Sequence, residues 1–234
     1  MRKLILLLLL SDVYYIQTSA QRLNYNESEL LRITAMTSLP VDIDNLYTDV
    51  KGNPFFNEQW LPGTAINPAG QRLSGLRLKF DWYRNKFYAN YHDTVYDLSS
   101  TPFTRCVLYS SPADTAVSYT FYKGLLINGI ELGKFVQVLA DGRLTLAKYR
   151  TVVIKDIHDE GVLSTTRSFI GQDYYYLVRN GIQSTPVRLN RKTLEKEMAG
   201  KWTEIAAYAK EKTISFNDEE GWTALVAWYN SLQK

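Results

Sequence analysis

The feature that most constrains the fold is an alternation of apolar and polar residues that runs through positions 76–98. A period of two places every second side chain on the same face of a β-strand, so that one face is dry and the other is wet. Turn-forming residues interrupt the alternation at 83–86 and again at 92–93. The stretch therefore predicts a three-stranded meander, whose dry face carries Leu76, Leu78, Phe80, Trp82 and Phe87, while some of the tyrosines fall on the other face.

Two further hairpins are indicated by turn dipeptides between β-rich arms. Asp141-Gly142 separates one pair of arms, and Asn180-Gly181 separates the other. Type I′ turns need a positive φ at both central residues, and these dipeptides adopt it at low cost. Both hairpins are therefore predicted to close through two-residue turns.

The second hairpin also gives a testable strand register. A two-residue loop pairs Arg179 with Ile182 and Tyr176 with Thr185. Pro186 has no N–H to donate to a ladder, so this arm is expected at the edge or end of a sheet.

The chain changes character at residue 190, where helical signals replace strand signals. Asn190 is placed to cap a short helix that ends at Gly200, and Asn217 with Glu220 has capping-box spacing. An apolar stripe then recurs at helical spacing and is expected to dock on the sheet. Its members are Trp222, Leu225, Val226, Tyr229 and Leu232.

Together these signals predict an α+β fold that is predominantly antiparallel β. Meanders and hairpins over residues 64–189 are expected to form a curved sheet or partial barrel, preceded by an irregular segment at 21–63. The helical segment at 190–234 packs on that sheet.

The N-terminus has the pattern of an export signal. Arg2 and Lys3 precede an unbroken apolar run over residues 4–10, and Ala20 ends a small-residue cleavage pattern. The apolar run is too short to span a bilayer, which takes about 20 residues. We therefore expect residues 1–20 to be a signal peptide, and the mature protein to be periplasmic or outer-membrane associated without a transmembrane segment.

Charge and motif content narrow the classes of function. The 27 basic and 24 acidic residues give a net charge of +3, and they are interspersed rather than clustered, which argues against nucleic-acid binding. The single cysteine, Cys106, lies in an apolar run and is expected to be buried. No nucleotide-binding, zinc or serine-hydrolase motif is present, so we expect no cofactor and no metal.

Four stretches and the order in which they occur carry a family resemblance. The chain resembles a group of uncharacterised exported β-rich proteins of Bacteroidetes-type Gram-negative bacteria, which have no assigned activity. The resemblance implies a location in the cell envelope and a β-rich fold, and it supplies no site residues. The stretches are residues 51–65, 76–98, 135–149 with 173–181, and 228–232.

The chain holds 17 tyrosines, and their side chains suit surfaces that are half buried and half wet. We expect most aromatic residues to form the wall of the sheet and a minority to bind a partner. The candidate surface residues are Tyr83, Tyr88, Tyr91 and Tyr96.

Three functions remain open on this basis. The first is a non-catalytic binding or structural module of the envelope that contacts a protein, a glycan or a lipid. The second is an extracytoplasmic glycan or peptide hydrolase that uses paired carboxylates. The third is a subunit of an envelope assembly whose edge strands extend a partner's sheet. Acids that flank the aromatic strands are Asp81, Asp93, Asp97 and Glu131.

Overall fold

The computed structural model describes residues 41–43, 45–91, 93–111, 116–158 and 165–232. The predicted signal peptide, its cleavage point after Ala20 and the first half of the irregular segment lie outside the described residues.

Within the described residues, ten antiparallel strands form one open sheet. This confirms the predicted α+β fold that is predominantly antiparallel β. Their spatial order is β10-β9-β8-β7-β6-β5-β1-β2-β3-β4. The strands are β1 Leu61–Ile66, β2 Arg72–Asp81, β3 Lys86–Tyr91, β4 Thr94–Asp97, β5 Arg105–Tyr109, β6 Ser118–Lys123, β7 Phe135–Ala140, β8 Leu144–His158, β9 Thr165–Arg179 and β10 Gln183–Val187.

The predicted meander is formed by β2, β3 and β4. Leu78 pairs with Ala89 and Phe80 with Phe87, so the apolar residues of both strands share one face. That face is the centre of the larger hydrophobic core, to which β5, β6 and β7 add further side chains. Cys106 is buried in the same core, as predicted from its apolar surroundings.

The Asn180-Gly181 turn forms where predicted, but the predicted strand register is wrong by one residue. Both turn residues have positive φ, at 49° and 69°, and Ile182 donates to the carbonyl of Arg179. Arg179 nevertheless pairs with Gln183, because Ile182 stays in the loop and projects into solvent. Consequently Tyr176 faces Pro186, and β10 is an edge strand, as the proline predicted.

The hairpin between β7 and β8 also forms, although not through a type I′ turn. Only Gly142 of the Asp141-Gly142 pair has a positive φ. The side chain of Asn230, far along the chain, accepts from the N–H of Leu144 and donates to its carbonyl, at 3.0 and 2.7 Å. A Cβ on Gly142 would lie 2.6 Å from Cγ of Asn230, so this loop is shaped by a tertiary contact.

The C-terminal segment forms three α-helices within the described residues, and they dock on the sheet as predicted, except that Leu232 of the predicted stripe is 37% exposed. They are α1 Arg191–Glu197, α2 Trp202–Glu211 and α3 Glu219–Ser231. Asn190 caps α1 by accepting from the N–H of Thr193. The cap of α3 is Asp218, not Asn217, because its carboxylate accepts from Gly221 at 2.7 Å. Leu194, Ile205, Trp222, Leu225 and Val226 pack with Leu144, Leu146 and Leu177 of the sheet.

The segment before β1 contacts two strands that are far apart in the order of the sheet. Lys51 donates to the carbonyl of Arg167 and accepts from the N–H of Phe169, so it pairs with the outer edge of β9. Further on, Trp82 donates to the carbonyl of Pro54 at the end of β2. The segment predicted to be irregular thus crosses from β9 to β2.

Candidate functional site

The four candidate tyrosines do not share one surface. Tyr83 is 40% exposed, and its ring contacts the rings of Tyr47 and Phe169. Tyr96 is half-buried and pairs with Ala89, which places it on the opposite face from Tyr88. The backbone of Tyr91 lies in β3.

The prediction that Tyr88 is a surface residue is wrong, because its exposure is 1%. The guanidinium of Arg84 donates to its hydroxyl, and Asp81 lies on the same face of the meander. The segment before β1 covers this face, where the hydroxyl of Tyr47 donates to the carboxylate of Asp81. The face of the meander that carries Tyr88 and Asp81 is therefore covered, and its polar side chains form a small buried cluster.

Asp81 is a fully buried carboxylate at the centre of this interior. Besides Tyr47, it accepts a hydrogen bond from the N–H of Arg84 at 3.0 Å. Burial raises the pKa of Asp81, and the two hydrogen bonds oppose that rise. By contrast, the pKa of Asp97 is lowered: burial works against ionisation there, but the ammonium of Lys86 at 2.6 Å and Ser99 outweigh it.

Asp81→Asn is expected to become more stable relative to the wild type as the pH rises above about 4. A carboxyl whose pKa is raised by folding stabilises the protein while it is protonated, and this contribution is lost as the pH rises through the folded pKa. The measurement is the free energy of unfolding in urea across the acid and neutral range. Asp97→Asn is the matched control with the opposite sign, because its deficit should shrink as the pH falls below about 4. A difference between Asp81→Asn and wild type that does not change with pH would contradict this assignment.

A second candidate site, which we call the tyrosine groove, lies between β9, β10 and the start of α3. Its cavity of about 820 Å³ is lined by residues 172–176, 186–189 and 217–219. Three consecutive tyrosines of β9 border it, and alternation along the strand sends Tyr175 to one face and Tyr174 and Tyr176 to the other. Tyr174 is 39% exposed.

A charged cluster forms the helix side of the groove. Lys148 of β8 lies 2.8 Å from the carboxylate of Glu219 and 3.7 Å from that of Asp173. The hydroxyl of Tyr175 donates to Glu219 at 2.8 Å. Burial and the neighbouring Glu219 raise the pKa of Tyr175, so this hydroxyl keeps its proton.

One atom of the cluster is left without a hydrogen bond among the described residues. Oδ1 of Asp173 is buried, and its closest cation is Nε of Arg150 at 3.6 Å, beyond hydrogen-bond range. A buried acceptor without a donor is costly, and the charge of Arg150 nearby offsets part of that cost.

The groove was not recognisable from the sequence, because three separate elements build it. Lys148 comes from β8, Asp173 and Tyr175 from β9, and Glu219 from the first position of α3. The one local signal is the run Asp173-Tyr174-Tyr175-Tyr176, which predicts a strand but not a cleft.

The four acidic residues that flank the aromatic strands lie in different surroundings. Asp81 lies under Tyr47, and Asp97 is paired with Lys86. The side chain of Asp93 is 97% exposed, and Glu131 is also exposed.

Two features of the described residues bear on other classes of site. No group of three or more histidine, cysteine, aspartate or glutamate side chains there is arranged to hold a metal ion. None of the helices in that part of the chain has the length and apolar character needed to cross a membrane.

Comparison of the chain with protein-family models, with curated proteins and with solved structures finds no match. The resemblance to exported Bacteroidetes-type proteins therefore stays a prediction.

Proposed function

We propose that this protein is an exported, non-catalytic binding module of the cell envelope and that the tyrosine groove is its binding site. The observation that carries the proposal is the groove itself. It is a cavity of about 820 Å³ at the edge of β9, bordered by Tyr175 and the charged cluster on one face of the strand and by Tyr174 on the other. Binding sites typically pair apolar or aromatic walls with a few fixed polar groups.

The rigidity of the surrounding structure supports this role. Tyr174 and Asp173 lie on β9, which pairs with β8 over its full length, and Glu219 is fixed by its contacts with Lys148 and Tyr175. Side chains held by a sheet and a helix start are preorganised, which reduces the entropy lost on binding.

A hydrolase would need its two carboxylates in different protonation states. A glycosidase needs one carboxylic acid as proton donor and a second carboxylate as base or nucleophile. In the groove, Asp173 and Glu219 both contact the ammonium of Lys148, and Tyr175 donates to Glu219. Carboxylates engaged in this way are suited to hold charge and orient a ligand, which favours binding over hydrolysis.

Tyr174→Ala is expected to weaken ligand retention about tenfold, since an aromatic contact contributes roughly 0.5–1.5 kcal/mol. The measurement is binding of the purified protein to an array that carries both glycans and peptides, followed by affinity determination for the best ligand. Tyr83→Ala is the matched control, because Tyr83 is 40% and Tyr174 39% exposed. Equal losses in the two variants, or retention of nothing by the wild type, would overturn the assignment of the groove.

A further inference from the structure

We propose that the tyrosine groove takes an extended peptide, which adds as a strand to a free stretch of the edge of β9. This inference rests on the proposed binding function and specifies the class of ligand. The peptide is expected to alternate apolar and polar residues.

The free stretch lies between two segments that cover the rest of the edge. β10 pairs with β9 only as far as Val187 opposite Tyr175. At the other end, Lys51 forms an isolated bridge with Ser168. Between these points, residues 170–174 have no backbone partner on the outer side among the described residues.

The hydrogen-bond pattern identifies which groups point outwards. The carbonyl of Arg167 and the N–H of Phe169 face Lys51, on the side away from β8. Successive residues of a strand alternate in this direction, and the β8 register continues without a shift from 165 to 179. The N–H and C=O of Gly171 and Asp173 therefore face the groove.

These main-chain groups match an incoming strand better than a sugar ring. An extended peptide carries alternating donors and acceptors at the same spacing as the edge it joins, and strand addition is a common mode of peptide recognition. The free stretch has blocked ends, which fits a short segment of a few residues rather than a long strand.

The two faces of the arm formed by β8 and β9 explain the expected alternation of the peptide. On one face, Ile170 pairs with Val153, at 40% and 46% exposure, and Tyr174 pairs with Tyr149. On the other face, Asp173 pairs with Arg150 next to Lys148. An added strand would place every second side chain beside the apolar residues and the others beside the charged cluster.

The side chains of Arg150 and Asp173 lie beside the free stretch of β9. A Cβ on Gly171 would lie 2.6 Å from Nε of Arg150, so the arginine side chain lies across the glycine. Asp173, whose Oδ1 lacks a donor, stands next to the free main-chain groups.

The test compares Asp173→Pro with Asp173→Asn. Both remove the carboxylate charge, but only proline removes the outward N–H, and edge positions tolerate proline. A linear octapeptide library displayed on phage is selected on the wild-type protein, and the best synthetic peptide is measured against both variants. We expect Asp173→Pro to bind about tenfold or more weakly than Asp173→Asn, because the two variants share the lost charge and differ in the outward N–H.

A second measurement leaves the protein unchanged, in case Asp173→Pro does not fold. N-methylation is moved along the selected peptide one residue at a time, and binding to the wild type is expected to fail at alternate positions. Selection of no peptide, or tolerance of N-methylation at every position, overturns strand addition. If the array then retains glycans, the binding function stands without this inference; if it retains neither class, both fail.

Discussion

Trp222→Ala is expected to lower the free energy of unfolding by about 3–5 kcal/mol, the usual cost of truncating a large buried aromatic residue. Trp222 is fully buried in the second hydrophobic core, which joins the three helices to β7, β8 and β9. Its indole N–H donates to the carbonyl of Phe216 at 2.7 Å, so the substitution also leaves a carbonyl unpaired. Urea unfolding followed by circular dichroism measures the loss.

Trp228→Ala on the same helix is the matched control. Trp228 is only partly buried, and its ring stacks on that of Tyr208 at 4.4 Å between centroids. Its removal is expected to cost about 1 kcal/mol, because the ring still contacts solvent. Equal losses for the two tryptophans would contradict the docking of α3 through Trp222.

Phe121→Ala is expected to destabilise the protein by a similar amount, about 3–5 kcal/mol, through the first core. The buried ring of Phe121 lies within 6 Å of four others, and the centroid distance to Phe80 is 4.7 Å. These contacts join β6 to the meander and to the segment before β1, so the cavity has few ways to collapse. The measurement is again urea unfolding.

Tyr122→Ala provides the control for this core. Tyr122 follows Phe121 on β6 and therefore points to the opposite face, where its half-buried hydroxyl donates to Asp141. It is expected to cost less than half as much as Phe121→Ala. A loss below about 1 kcal/mol for Phe121→Ala would show that the aromatic cluster does not hold the sheet together.

The strands of the meander could be predicted because their alternation reflects burial on one face. Leu76, Leu78, Phe80 and Trp82 are all buried, as period-two spacing requires. The details of the turns could not be predicted, because they depend on distant residues. Asn230 shapes the Asp141-Gly142 loop through a hydrogen bond with Leu144, which is 86 residues away in the sequence. No local sequence pattern reveals such a contact.

The candidate site shows the same limit. The sequence showed that β3 carries aromatics on both faces, but not that the segment before β1 covers the face of Tyr88. Likewise, the sequence does not distinguish Tyr174 from Tyr175 and Tyr176, which follow it directly. The role that we propose for it depends on where β10 ends. The length of an edge strand relative to its neighbour is a property of the assembled sheet.

The proposed peptide binding depends on a free edge of β9 inside the tyrosine groove. Amide hydrogen exchange, measured by NMR on the free protein, tests this most directly. We expect fast exchange at Gly171 and Asp173 and strong protection at Gln172 and Tyr174, whose N–H groups face β8. Uniform protection of all four amides would mean that the edge is already covered, and would contradict the account.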